Sequence, residues 1–174
     1  MRTLFLSLAA LCCLSACGNQ EPATTTTATA TTTTASTTEQ PDAARAAAIQ
    51  AATQEARAGL PRFWELQRAN DGEAFWLKVA YATPDGGSEQ IWLNRVRGSS
   101  TGLTGVIQNQ PTNVPSLQLN QRAPINVNQI TDWSITRNGH TYGHYTTRAI
   151  YAYMSPEEKA RNRAFIDSLA QGLP

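Results

Sequence analysis

Two histidines, His140 and His144, stand four residues apart in GHTYGHYTTR, with Asp132 upstream and Arg148 at the end of the run. On a β-strand that spacing places both imidazoles on one face, and a metal ion would need one or two further ligands. The segment supplies no carboxylate, and Gly143 interrupts the strand before the second histidine. The pair therefore reads as exposed hairpin residues, and neither a metal nor another cofactor is expected. An envelope hydrolase or metal enzyme built on His140 and His144 is the alternative reading. No Gly-x-Ser-x-Gly elbow accompanies the serines. Asp71, Glu73, Asp85 and Glu89 all sit next to turn signals and read as solvated turn residues, not as an acid/base pair. Four tryptophans, Trp64, Trp76, Trp92 and Trp133, are core material by type. Trp76 is the exception, since it opposes the apolar face of its strand. The candidate binding residues are thus Trp76, Trp92, Trp133, His140, His144 and Arg148.

These residues belong to a stretch that reads as a sheet. In FWLKVAY, Phe75, Leu77, Val79 and Tyr81 alternate with Trp76, Lys78 and Ala80, the period of a strand with one face on a core. On this reading Lys78 is an ordinary surface residue. Pro84-Asp85-Gly86-Gly87 provides left-handed positions for a tight turn, so Ile91, Leu93 and Val96 return beside the first strand. A third strand is expected over 103–108, a loop across Pro111 and Pro115, and renewed sheet from about Ile125. Asp132 to Thr136 forms a further strand, and Asn138-Gly139 signals a type I′ hairpin into His140.

Helices frame the sheet on both sides in sequence. Asp42 caps an alanine-rich helix ending at Gly59, and Pro61 opens a second, short one carrying Phe63, Trp64 and Leu66. After the sheet, the run from Tyr145 to Met154 holds a short helix. Ser155-Pro156-Glu157-Glu158 is a capping box opening another, with Phe165, Ile166 and Leu169 as its apolar stripe and an end near Gly172. The fold class is α+β: a small twisted antiparallel sheet of about five to six strands, with helices before and after it.

The amino-terminal region speaks of delivery. One basic residue and a short apolar run lead to Leu14-Ser15-Ala16-Cys17, which resembles the lipobox of bacterial lipoproteins. The resemblance implies a signal peptide over 1–16, diacylation of Cys17 and membrane attachment through that lipid. Gly18, rather than aspartate, follows the cysteine, and by the same resemblance favours the outer membrane, facing the periplasm. Cys12 and Cys13 leave with the signal, so the mature chain carries no thiol for a disulfide or a metal. The threonine-rich remainder of 17–41 has nothing apolar to order it and reads as a flexible tether reaching about 25 Å. Residues 42–174 form one globular domain. The formal net charge of +1 includes Arg2 of the signal, and no basic stripe is present, so nucleic acid is not an expected partner.

LPRFWEL, FWLKVAY, the Glu89 to Leu93 run, Gly105 to Pro111, ITDW, the GH-x-x-GHYTTR segment and MSPEE together resemble the domain-of-unknown-function family 2314, the YegJ-like family. The likeness covers about residues 60–160 and implies a compact α+β domain. It carries no catalytic residues to transfer. By analogy with other small domains of this kind, an immunity-type role is an expectation, in which a tethered domain binds a protein partner and neutralises an envelope toxin.

Overall fold

The computed structural model describes residues 39–98 and 102–172, with side chains from residue 42 onward. The signal, Cys17 and all but the last three residues of the tether lie outside the described residues, as do positions 99–101 of the loop after the first hairpin.

A long helix α1 (Glu39–Ala69) is followed by strands β1 (Ala74–Ala82), β2 (Ser88–Arg97), β3 (Thr104–Ile107) and β4 (Arg122–Pro124). A single 3-10 turn, Val127–Gln129, leads into β5 (Ile130–Arg137) and β6 (His140–Gly143), and the chain closes with α2 (Tyr145–Tyr151) and α3 (Pro156–Ser168). The six strands form one antiparallel sheet in the order β4-β3-β2-β1-β5-β6. The expected α+β class is therefore what the chain adopts, with β1 at the centre between its hairpin partner β2 and the distant β5.

One face of the sheet carries the core. Leu77, Val79, Ile91, Leu93, Trp133 and Ile135 are all 0% exposed, and with Phe63 of α1 they form one continuous cluster. Burying each such side chain contributes roughly 1.5 to 3 kcal/mol before chain entropy is counted. Phe75 and Tyr81, at the ends of the β1 stripe, are half-buried against the same cluster. The expected faces of β1 are thus correct.

Where two helices were expected, α1 runs unbroken through Gly59 and Pro61. Its buried positions, Ala52, Ala56, Phe63 and Leu66, recur at helical spacing across the supposed break, so one helix buries a single stripe. Gly59 is no terminator. A Cβ there would meet Cζ2 of Trp133 at 2.7 Å, so the glycine is the seat on which the indole rests. Pro61 is exposed, and the carbonyl it leaves unbonded, that of Arg57, also belongs to an exposed residue that water can satisfy. The helix also begins at Glu39, ahead of the expected cap at Asp42.

The first hairpin closes over Thr83–Gly87, with Gly86 at φ +86° and the Asp85 carboxylate accepting from Gly87 N–H and the Thr83 hydroxyl. Asn138 (φ 53°) and Gly139 (φ 72°) make the second, as the type I′ signal requires. β4 falls within the stretch expected as a loop after Pro111 and Pro115 and ahead of the sheet expected from about Ile125; it is a three-residue edge strand, a setting in which Pro124 is tolerated. The Ser155 capping box is formed, yet α3 stops at Ser168, short of Gly172, and Leu169 is extended and pairs in parallel with Thr141. That pairing covers the open side of β6.

The turn carboxylates are not idle surface groups. Glu89 accepts from the backbone N–H groups of Thr112 and Asn113 and fastens the long proline loop. Asp71 takes two parallel hydrogen bonds from Arg137, at 2.8 and 2.9 Å, and Glu73 accepts from Asn138 N–H. Asp71 and Glu73 both hold the β5–β6 hairpin, through Arg137 and Asn138, while Asp85 holds its own turn and Glu89 the proline loop, so each carboxylate is committed to a structural contact.

Candidate functional site

The face of the sheet away from α1 carries a cross-strand row in which Lys78 of β1 lies between Trp92 of β2 and Asp132 of β5. β5 carries a bulge at Thr131, just before Asp132, opposite the step from Lys78 to Val79 in β1, and such a bulge raises the local twist. Asp132 is wholly buried, and its carboxylate accepts four hydrogen bonds. Trp133 N–H (2.8 Å) and Tyr145 N–H (3.1 Å) reach Oδ1, while Thr146 N–H (2.8 Å) and the Thr146 hydroxyl (2.6 Å) reach Oδ2. Tyr145 and Thr146 open α2, whose cap residue His144 makes no side-chain capping bond. A carboxylate from the neighbouring strand thus does the capping and meets the positive end of the helix.

Lys78 completes the arrangement, its amine donating to the Thr146 hydroxyl at 2.8 Å and lying 5.0 Å from the centre of the Trp92 ring. The expectation that Lys78 is an ordinary surface residue is corrected. Burial pushes its pKa down, with the Asp132 charge opposing, and burial pushes Asp132 up, against its hydrogen bonds and Lys78. All four partners donate to Asp132, the pattern of an ionised carboxylate paired through a hydroxyl. A hydroxyl between an amine and a carboxylate has the outline of an activated nucleophile. Thr146 is only 4% exposed, however, and its proton is committed to Asp132, so the relay joins α2 to the sheet and is closed to solvent.

Beside this row lies an open cleft of roughly 320 Å³. Trp76 and Trp92 form its aromatic floor, Ser134, Thr136 and Thr141 line one side, Gln108 and Asn109 the other, and His144 and Phe165 close it. Asn109 is fixed by accepting from Trp92 N–H at 2.6 Å. His144 packs on Trp92 with ring centres 4.9 Å apart and meets the edge of Phe165 at 5.0 Å. Its pKa is pushed down to about 4, first by burial and then by the charges of Lys78 and Arg148, so the imidazole is neutral at neutral pH. Its Nδ1 is buried with no hydrogen-bond partner.

The six candidate binding residues divide evenly. Trp76, Trp92 and His144 come together at the cleft. Trp133 belongs to the core instead: it is 0% exposed, donates its indole N–H to Ala56 C=O at 2.7 Å and packs edge-on with Tyr145. His140 stays exposed at the start of β6, opposite Arg137. The two histidines do not share a strand face, because Gly143 (φ 88°) and His144 (φ 55°) turn the chain out of β6. Only glycine fits at 143, where a Cβ would meet the Trp133 carbonyl oxygen at 2.2 Å. Arg148 donates to the carbonyls of Gly143 and Ala170 and lines a separate cleft with Glu55 and Tyr145. Among the described residues no group of three His, Cys, Asp or Glu is placed to hold a metal ion.

The sequence matches the family described as "Uncharacterized protein conserved in bacteria (DUF2314)" over residues 46–166. The chain belongs to the DUF2314 family. It is 32% identical over 117 residues to the uncharacterized protein YegJ of Escherichia coli strain K12, covering 67% of this chain and 76% of that protein. A "Putative ankyrin repeat protein" of Neisseria meningitidis serogroup B is 26% identical over 106 residues, which span 59% of this chain and 42% of the other. No solved structure matches. Within this DUF2314 domain, three of the segments that carry the likeness meet at one point. FWLKVAY supplies Lys78, ITDW supplies Asp132 and the GHYTTR segment supplies Thr146. Sequence reasoning singled out none of these three as partners. The only available signal was that Trp76 and Lys78 share the non-core face of β1. Phe165, expected on the apolar stripe of α3, is 41% exposed beside His144.

Proposed function

We propose that this chain is a non-catalytic binding domain of the bacterial cell envelope, lipid-anchored at Cys17 to the periplasmic face of the outer membrane, and that its ligand enters the Trp76/Trp92 cleft. The observation that carries the reading is the gathering of two indoles, a neutral imidazole and an exposed phenyl ring on one concave patch of an otherwise polar sheet face. Aromatic walls with a few fixed polar groups are the usual composition of small-ligand sites, and about 320 Å³ lies in their size range. Neutralising a toxin, the immunity-type role, would call for a protein interface of roughly 800 Å² on each partner. The concave site favours the ligand-binding form. The hydrolase alternative needs both histidines at one place, and only His144 reaches the cleft.

Fluorine NMR of the full chain labelled with 5-fluorotryptophan tests this reading. On titration with a soluble digest of the cell-wall sacculus, with soluble periplasm and with dispersed envelope lipids, the Trp76 and Trp92 signals are expected to move while buried Trp133 stays fixed. If all four signals stay fixed with every fraction, the binding-domain reading fails.

A further inference from the structure

Bonding divides the three tryptophans of the sheet strands into two kinds. Trp133 gives its N–H to Ala56, whereas the N–H groups of Trp76 and Trp92 have no acceptor in the protein among the described residues. The same holds for the hydroxyls of Ser134, Thr136 and Thr141 and for both nitrogens of His144, of which only Nδ1 is sealed from water. All of these groups line the same cleft. All but His144 Nδ1 are open to water, so one concave surface presents a set of uncommitted donors and acceptors that a ligand can take up in place of water.

The chemistry narrows what that something is. No carboxylate, ammonium or guanidinium lines the cleft among the described residues, and His144 is neutral there, so a charged ligand finds no ion-pair partner in the lining itself. A purely apolar ligand would strip water from the hydroxyls and indole N–H groups and leave them unpaired, which disfavours its binding. A ligand with one C–H-rich face and a rim of hydroxyls fits both demands. Its C–H groups meet the negative face of an indole, and its hydroxyls act as donors and acceptors to the rim. Trp76 is the free platform: it stacks on no other ring among the described residues, whereas Trp92 is occupied by Lys78 and His144.

We infer that the cleft binds a neutral sugar ring laid against Trp76, with its hydroxyls bonded to Ser134, Thr136, Thr141 and the indole N–H groups. The inference rests on the binding-domain reading and names its ligand class. Trp76 also lines a second cleft of about 380 Å³, with Asn70, Glu73, Asn94 and Arg95, and there the Asn94 Oδ1 is a buried acceptor with no partner. A sugar chain crossing Trp76 therefore gains contacts a single ring lacks.

The test titrates the fluorotryptophan-labelled full chain with maltotetraose, cellotetraose and the tetramer of N-acetylglucosamine, and with their disaccharides. Inorganic phosphate and an uncharged, capped tetrapeptide serve as the other two ligand classes. At least one tetrasaccharide is expected to shift the Trp76 signal to saturation, its disaccharide to bind at least about tenfold more weakly, and phosphate and peptide to leave the signal in place. Trp76→Ala should weaken the tetrasaccharide at least about tenfold, now read on Trp92, and Trp76→Phe should weaken it less. An unmoved Trp133 signal reports that each variant is folded; if Trp76→Ala moves it, Ser134→Ala with Thr141→Val takes its place. Saturation that survives loss of Trp76, or of the hydroxyl pair, overturns the inference. So does silence toward every sugar, and the envelope fractions then separate the two failures. A cleft that still answers those fractions has another ligand class, and one that answers nothing ends both readings.

Discussion

His144 concentrates three unusual features in one residue: a left-handed backbone, a neutral half-buried ring and an unpartnered Nδ1. Its pKa lies near 4 in the fold and near the ordinary value of 6.5 when unfolded. Between those values the unfolded chain takes up a proton that the folded chain refuses. Stability is therefore unaffected by this residue above about pH 6.5 and is lost as pH falls toward 4. Asp132, held above its ordinary value by burial, works in the opposite sense, since its protonation favours the folded state. His144→Asn removes the titration while keeping a residue that tolerates positive φ. Urea midpoints measured from pH 7 to 4.5 should fall more steeply for the parent chain than for the variant, and parallel curves would contradict the assigned burial. At this scale the sequence was only partly readable. The alternation along β1 placed Trp76 correctly, but it also made Lys78 look solvated. What buries Lys78 is Thr146, 68 residues further on, and no local pattern reports a partner at that distance.

Among the elements, the hairpins and the capped α3 were legible because each depends on turn or cap chemistry within a few residues. α1 was misread for the complementary reason. Gly59 and Pro61 are stop and start signals by local propensity, but the stripe from Ala52 to Leu66 buries enough against the sheet to override them. This leads to a prediction with competing terms. Gly59→Ala would gain about 0.5 to 1 kcal/mol of helix propensity, yet its methyl group would meet the Trp133 indole at 2.7 Å, and overpacking costs about 1 to 3 kcal/mol. The melting temperature is expected to fall; a rise would show that the helix can move off the indole without loss.

For the molecule as a whole, the α+β class was readable from the order of elements, whereas the strand order was not. Placing β5 beside β1 is decided by Lys78, Asp132 and Trp133 packing across the three strands and long loop that separate them in sequence. Delivery belongs to this scale too. Cys17→Ser is expected to move the chain from the membrane fraction to the soluble fraction, and unchanged fractionation would defeat the lipid-anchor proposal. The two ends of the sheet carry a last consequence, and it concerns the order in which the chain is made. The β4 end is blunted from the start by its three residues and Pro124. The β6 end is covered by Leu169, with Ala170 N–H donating to the Thr141 carbonyl, and both residues are synthesised only after α2 and α3. A nascent chain must therefore carry a complete hydrophobic sheet with one raw edge until those residues emerge. That interval is when the protein is most open to pairing with a neighbouring nascent copy.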